Sequence, residues 1–132
     1  KKAPAERLMI YLDTSALIRF FTKDNLASAK KVKELLEKES EISINDVVFP
    51  ELDYVLRKVY NLQRSDVAVA YRFILSCPEI SCSKIIHEAA RLYEKSNLSM
   101  ADCIIASESL KGKLASFDKQ MLNIPGIVKY WP

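Results

Sequence analysis

Short runs of consecutive apolar residues alternate along this chain with longer stretches in which apolar positions recur every three or four residues. The first run, Leu8-Met9-Ile10-Tyr11-Leu12, reads as a strand buried on both faces. Asp13-Thr14-Ser15 follows it and reads as a helix start, leading into the apolar helix Ala16, Leu17, Ile18, Phe20 and Phe21. After the polar break Lys23-Asp24-Asn25, the residues Leu26, Ala29, Val32, Leu35 and Leu36 predict an amphipathic helix running to Glu39. Glu41 to Ile44 alternates as a short strand does. Pro50 is placed to open a helix, with Leu52, Val55, Leu56 and Val59 at helical spacing behind it. Val67, Ala70, Tyr71, Ile74 and Leu75 predict the next helix, ended by Cys77-Pro78. Glu79 to Ser83 reads as a strand, Ile85 to Tyr93 as a helix, and Ser99 starts an apolar helix stopped at Gly112. Leu114 to Phe117 reads as a strand ending at Asp118, and Ile127 to Tyr130 as a last one.

Strands alternating with helices imply a parallel sheet covered on both sides. A length of 132 residues suits one domain with one core. No repeat, low-complexity segment or linker divides it, so residues 8–132 read as a single domain preceded by a loose N-terminal segment, 1–7. Only two glycines occur, and neither GxGxxG nor GxxxxGK[ST] can be written, which excludes a glycine-rich phosphate loop.

Composition narrows the chemistry further. Hydrophobic residues make up 49% of the chain, too many for a disordered segment. The apolar stretches are broken by Asp13, Arg19 and Lys23, so no membrane span and no signal peptide is expected. Cys77, Cys82 and Cys103 form no CxxC pair, which argues against disulfides and zinc and for a reducing cytoplasm. His87 is the lone histidine, so a Ser-His-Asp triad and a Cys/His metal site lose their support. The net charge of +3 permits nucleic-acid binding without demanding it, and the lysine clusters read first as solvated helix surface.

Four carboxylates carry the candidate chemistry: Asp13, Glu51, Asp102 and Asp118. Each has a plain structural explanation. Asp13 and Asp118 suit helix caps, Glu51 suits the positive end of a helix dipole, and Asp102 stands three residues after Ser99 in capping-box spacing. Their placement together says more. Asp13 and Asp118 would leave strands at the carboxyl ends, which share one edge in a parallel sheet, and Glu51 and Asp102 sit early on helices entered from that edge. Carboxylates that face one another repel unless a cation compensates. All-oxygen donors select Mg²⁺ or Mn²⁺, as one or two ions. Such a site suits phosphodiester hydrolysis. Thr14 and Ser116 are candidates to hold the ligands or a water, while Ser15 reads as a capping residue. Asp53 points away from Glu51 on the same helix and serves as the control.

The segments Tyr11-Leu12-Asp13-Thr14-Ser15-Ala16-Leu17-Ile18, Pro50-Glu51-Leu52-Asp53-Tyr54-Val55-Leu56, Met100-Ala101-Asp102-Cys103-Ile104-Ile105-Ala106 and Ala115-Ser116-Phe117-Asp118-Lys119 resemble the PIN-domain family. In order and spacing they are most similar to the VapC-type toxins of prokaryotic toxin–antitoxin pairs. The resemblance implies a three-layer α/β/α sandwich with a central parallel sheet of four to five short strands. It implies a Mg²⁺- or Mn²⁺-dependent endoribonuclease whose acids are Asp13, Glu51, Asp102 and Asp118, with Ser116 as the hydroxyl before the last acid. It also implies an RNA substrate, a homodimer and a cognate antitoxin that blocks the site.

Two other readings compete. A non-catalytic PIN-like module for RNA binding or assembly would keep the fold without the chemistry. A phosphotransfer domain fits less well. A phosphatase start wants an Asp where Ser15 stands, and a receiver wants a second acid beside Asp13, where Leu12 and Thr14 are found.

Overall fold

The computed structural model describes residues 8–132; the segment 1–7, expected to be a loose terminus, lies outside the described residues. The chain groups into two compact units, one ending at Ser83 and the other spanning Lys84–Pro132. The first contains β1 (Ile10–Tyr11), α1 (Thr14–Thr22), α2 (Leu26–Lys38), β2 (Ile42–Ser43), α3 (Val48–Tyr54), a π-helical segment (Val55–Val59), α4 (Arg64–Ser76) and β3 (Ile80–Ser81). The second contains α5 (Lys84–Lys95), α6 (Met100–Ser109), β4 (Lys113–Leu114), α7 (Lys119–Leu122) and β5 (Val128–Lys129). Every strand pairing is parallel, so the helix-rich α/β class expected from the alternating pattern is the one observed.

In the first unit the strand order is β1-β2-β3, with Ile10, Ile42 and Ile80 in register. Evenly spaced bonds join them, Ile10 N–H to Glu41 O at 2.9 Å and Ile42 N–H to Glu79 O at 3.0 Å among them. Helix α1 packs on α2 and α3, and α3 on α4. There the Phe49 and Tyr71 rings lie 5.5 Å apart, and the Tyr71 hydroxyl donates to Phe49 O at 2.5 Å. This satisfies a polar tip inside an apolar core. In the second unit α5 packs on α6, burying Ile86, Ala89, Tyr93, Met100, Cys103 and Ala106.

Three local expectations need correction. The strand after Leu8 is not buried on both faces: Leu8 is 72% and Tyr11 73% exposed, while Leu12 is buried. In its sheet β1 pairs with β2 alone, and the residues alternate in and out as on an edge strand. Helix α3 begins at Val48, so Pro50 is its third residue. Its missing N–H still falls in the first turn, where backbone donors have no intrahelical partner. Val59, expected in the core by its spacing from Leu52 and Leu56, is exposed. The helix widens after Tyr54, with Tyr60 N–H reaching Val55 O at 3.2 Å and Leu62 N–H reaching Leu56 O at 2.9 Å. The wider turn slips the 3.6-residue phase and turns Val59 outward.

Candidate functional site

The first unit sets Asp13 at the junction of β1 and α1. Its backbone is extended (φ −96°, ψ 177°), as an N-cap requires, and its Oδ1 accepts from Ala16 N–H at 3.0 Å and from the Ser15 hydroxyl at 2.7 Å. These donors, the Ala16 amide foremost and then the Ser15 hydroxyl, hold the Asp13 carboxyl below the usual carboxylate range. Asp13 is therefore an anion at neutral pH. The next residue, Thr14, donates its hydroxyl to Glu51 Oε1 in the first turn of α3. The residue that follows Asp13 in the chain thus holds Glu51, while the Asp13 carboxylate is held by Ser15 and Ala16.

A cleft of about 710 Å³ opens beside them, lined by Thr14, Ser15, Arg19, Glu51, Tyr54 and Tyr60 among others. Its far wall is tied together by Asp24, which accepts from Arg19 Nη1 at 2.9 Å, from the Tyr60 hydroxyl at 2.6 Å and from the Thr22 hydroxyl at 3.1 Å. Lys23 makes this possible: its left-handed backbone (φ 56°) ends α1 and turns the chain so that Asp24 meets the last turn of that helix.

Asp53 is not a neutral bystander. It is buried, and its Oδ1 accepts from Arg57 Nε at 2.7 Å within the same helical stretch. The sequence spacing rightly separates it from Glu51, but its role is to anchor the π-helical segment, which makes it a poor silent control.

The second unit holds the other two acids. Asp102 is the third residue of α6, and its N–H bonds the Ser99 Oγ cap at 3.1 Å. This is the forward half of the capping box; the Asp102 carboxylate itself accepts no hydrogen bond from a described residue. It is half-buried, in a setting less apolar than its neighbours suggested, because Ala101 and Ile105 are exposed. Asp118 caps α7, accepting from Gln120 N–H at 2.9 Å and Met121 N–H at 3.3 Å, and its own N–H is held by Ser116 Oγ at 2.9 Å. Strand β4 stops at Leu114, so Asp118 follows three residues of irregular chain rather than leaving the strand directly.

The donors are of the all-oxygen kind that suits a hard divalent cation. Among the described residues, however, no group of three or more His, Cys, Asp or Glu side chains stands close enough together to hold a metal ion. In the first unit Asp13 and Glu51 are the two candidate acids, and the Thr14 hydroxyl holds the second of them.

One feature was set aside by the sequence reading and one escaped it. Ser15, preferred as a capping residue over a holder of the ligands, bonds the Asp13 carboxylate through its hydroxyl, and the Asp-x-Ser spacing signals such a local side-chain turn. The Arg19–Asp24–Tyr60 network left no signal, since it joins residues 36 apart across the π-helical widening.

A family model for the PIN domain matches residues 10–127, and the chain belongs to that family. PIN domains are in general nuclease domains that act on RNA, usually with Mg²⁺ or Mn²⁺. At that coarse level the family assignment places the protein among the hydrolases. No curated protein matches the chain. No helix among the described residues is long and apolar enough to cross a membrane.

Proposed function

We propose that this protein is a metal-dependent endoribonuclease, the toxin component of a toxin–antitoxin pair of the VapC type, acting in the cytoplasm as a homodimer held in check by a cognate antitoxin. In this reading residues 8–132 act as one domain with one site. Asp13, Glu51, Asp102 and Asp118 would hold Mg²⁺ or Mn²⁺, which when bound supplies Lewis-acid activation of water and of the scissile phosphate.

The observation that carries the reading is the Asp13–Thr14–Glu51 linkage. An Asp whose carboxylate is held by an amide and a hydroxyl is followed in the chain by a Thr that orients Glu51, and Thr14, Ser15 and Glu51 line a cleft. The Thr14–Glu51 bond is the part that helix capping does not require, and it supports a site prepared for a cationic cofactor. Thr14 orients Glu51, Ser15 and Ala16 keep Asp13 anionic, and Ser116 holds the backbone of Asp118. The three free thiols among the described residues accord with a reducing compartment.

The test is cleavage of single-stranded RNA by the purified protein with Mg²⁺ or Mn²⁺. Cleavage should stop with EDTA, return when either ion is restored, and be absent in Asp13→Asn. An Asp13→Asn variant as active as the parent ends the proposal. RNA binding without metal and without cleavage of any substrate would favour the non-catalytic module instead.

A further inference from the structure

The second unit carries an aromatic cluster that neither its core nor the carboxylates account for. Phe117 and Trp131 stack with ring centroids 4.9 Å apart and planes 10° from parallel, and Tyr130 meets Trp131 edge-on at 5.4 Å. All three are on the surface: Phe117 is 87% exposed, Tyr130 61% and Trp131 46%. The backbone holds the cluster in place, since β5 runs parallel to β4 and Tyr130 N–H bonds Leu114 O at 2.9 Å. A Phe that is stacked on one face and still so exposed presents its other face to solvent. Aromatic surface of this kind is costly to leave in water unless something covers it.

We propose that Phe117 and Trp131 form a stacking platform for a base of single-stranded RNA; the proposal rests on the nuclease reading above and names how its substrate is held. Three observations favour a nucleobase. The platform already shows the near-parallel, face-to-face spacing in which a further flat ring extends the stack. It directly precedes Asp118 in the chain, so a base laid on Phe117 brings its strand beside one of the candidate acids. Its surroundings are also cationic. Over residues 111–132 the only acid is Asp118, against Lys111, Lys113, Lys119 and Lys129. Lys113, Lys119 and Lys129 form no ion pair among the described residues. An aromatic face among unpaired lysines is the combination that binds single strands: the bases stack and the phosphates meet the charges. Phe117 is thus a positioning residue, not a catalytic one.

Trp131 is the sole tryptophan, so its emission reports on the platform directly. The experiment titrates a short single-stranded oligoadenylate into the Asp13→Asn protein in EDTA, where no cleavage competes. Saturable quenching of Trp131 is expected. Phe117→Leu should weaken binding roughly 5- to 150-fold, while Phe117→Tyr should bind within a few-fold of the parent. A ring that served only for packing would tolerate Leu as well as Tyr. Lys129→Ala should lower the slope of log affinity against log salt by about 0.7, and Phe117→Leu should leave that slope alone. In the active protein, Phe117→Leu should raise KM and spare kcat.

Absence of quenching, or equal affinity in Phe117→Leu, overturns the platform. So does Trp131 emission that varies with protein concentration in the absence of RNA, if sedimentation shows a dimer that Phe117→Leu dissolves; the cluster is then a self-association surface. The nuclease reading fails separately. A parent protein that shows Phe117-dependent quenching but cleaves no RNA with Mg²⁺ or Mn²⁺ keeps the platform and loses the activity.

Discussion

The Tyr60 hydroxyl donates to Asp24 Oδ2 at 2.6 Å, and the same oxygen accepts from Arg19 Nη1 at 2.9 Å. This one carboxylate therefore fastens the end of the π-helical segment to the end of α1, on either side of the cleft beside Asp13 and Glu51. The bond to Asp24 pushes the Tyr60 phenol above its ordinary value, and the Tyr60 and Arg19 donors hold the Asp24 carboxyl below its own. The sign follows in both directions. A raised phenol contributes stability that is present at neutral pH and is lost as pH rises through its folded value; a depressed carboxyl contributes stability that is lost as pH falls through its folded value. Tyr60 should be among the last tyrosines to ionise in an ultraviolet titration, and Asp24→Asn should bring it back toward 10. An unmoved Tyr60 titration in Asp24→Asn would show that the bond does not persist in solution.

Asp13 combines two duties that substitutions separate. Asp13→Ala removes the α1 cap and should cost about 1 kcal/mol by chemical denaturation. Asp13→Asn keeps a capping oxygen and should cost less, yet abolish cleavage. Because the folded carboxyl is depressed by Ala16 and Ser15, its contribution to stability is present above about pH 4 and fades as pH falls through the folded value. The gap between parent and Asp13→Ala should therefore narrow at low pH to what a neutral capping oxygen contributes, as measured by Asp13→Asn. A gap of the same size at neutral and acid pH would mean that the carboxylate charge adds nothing to the cap.

Asp53 predicts the opposite pairing of effects. Its side chain is 4% exposed against 31% for Arg57, so Asp53→Asn removes a buried carboxylate charge that the half-buried Arg57 guanidinium binds. A loss of about 2 kcal/mol is expected, with the kcat of the folded fraction unchanged. Measuring activity and denaturation on the same preparation distinguishes this from a catalytic role, in which kcat would fall while stability held.

Cys82 should be chemically quiet. Burial first, then the nearby Asp46 and Cys77, pushes its thiol up to about 11. Only about one molecule in a thousand is then a thiolate at pH 8, and alkylation by iodoacetamide should run roughly a hundredfold slower than that of free cysteine. Peptide mapping after timed alkylation reads this directly. Labelling of Cys82 at the rate of a free thiol would show that its half-buried setting does not raise the thiol.

How far the sequence could be read depended on how local each cause was. Helices α2 and α4 followed from apolar spacing and breakers: Ala29 and Val32 face inward, and α4 ends just before Cys77-Pro78. The N-caps at Asp13, Ser99 and Asp118 were legible because a cap acts over three residues. Strand burial was not legible. Whether Leu8 and Tyr11 are covered depends on what lies beside β1, and five apolar letters say nothing of that. The π-helical widening was invisible too, since the residues 55–59 keep an ordinary helical pattern while their hydrogen bonds do not.

The chain's letters alone determined which residues carry chemistry: four acids with hydroxyls beside them, no histidine pair, no glycine loop, and short strands between helices. They did so because charge, capping and periodicity act over a few residues. Only the folded chain decided that Thr14 bridges to Glu51, that Asp24 joins Arg19 to Tyr60, that Asp53 is spent on Arg57, and that Phe117 lies flat on Trp131. Several of these partners are far apart in sequence, and even the near pair Asp53 and Arg57 meet because the helix around them is packed. Such contacts come from how elements pack, and packing is a property of the whole fold rather than of any segment.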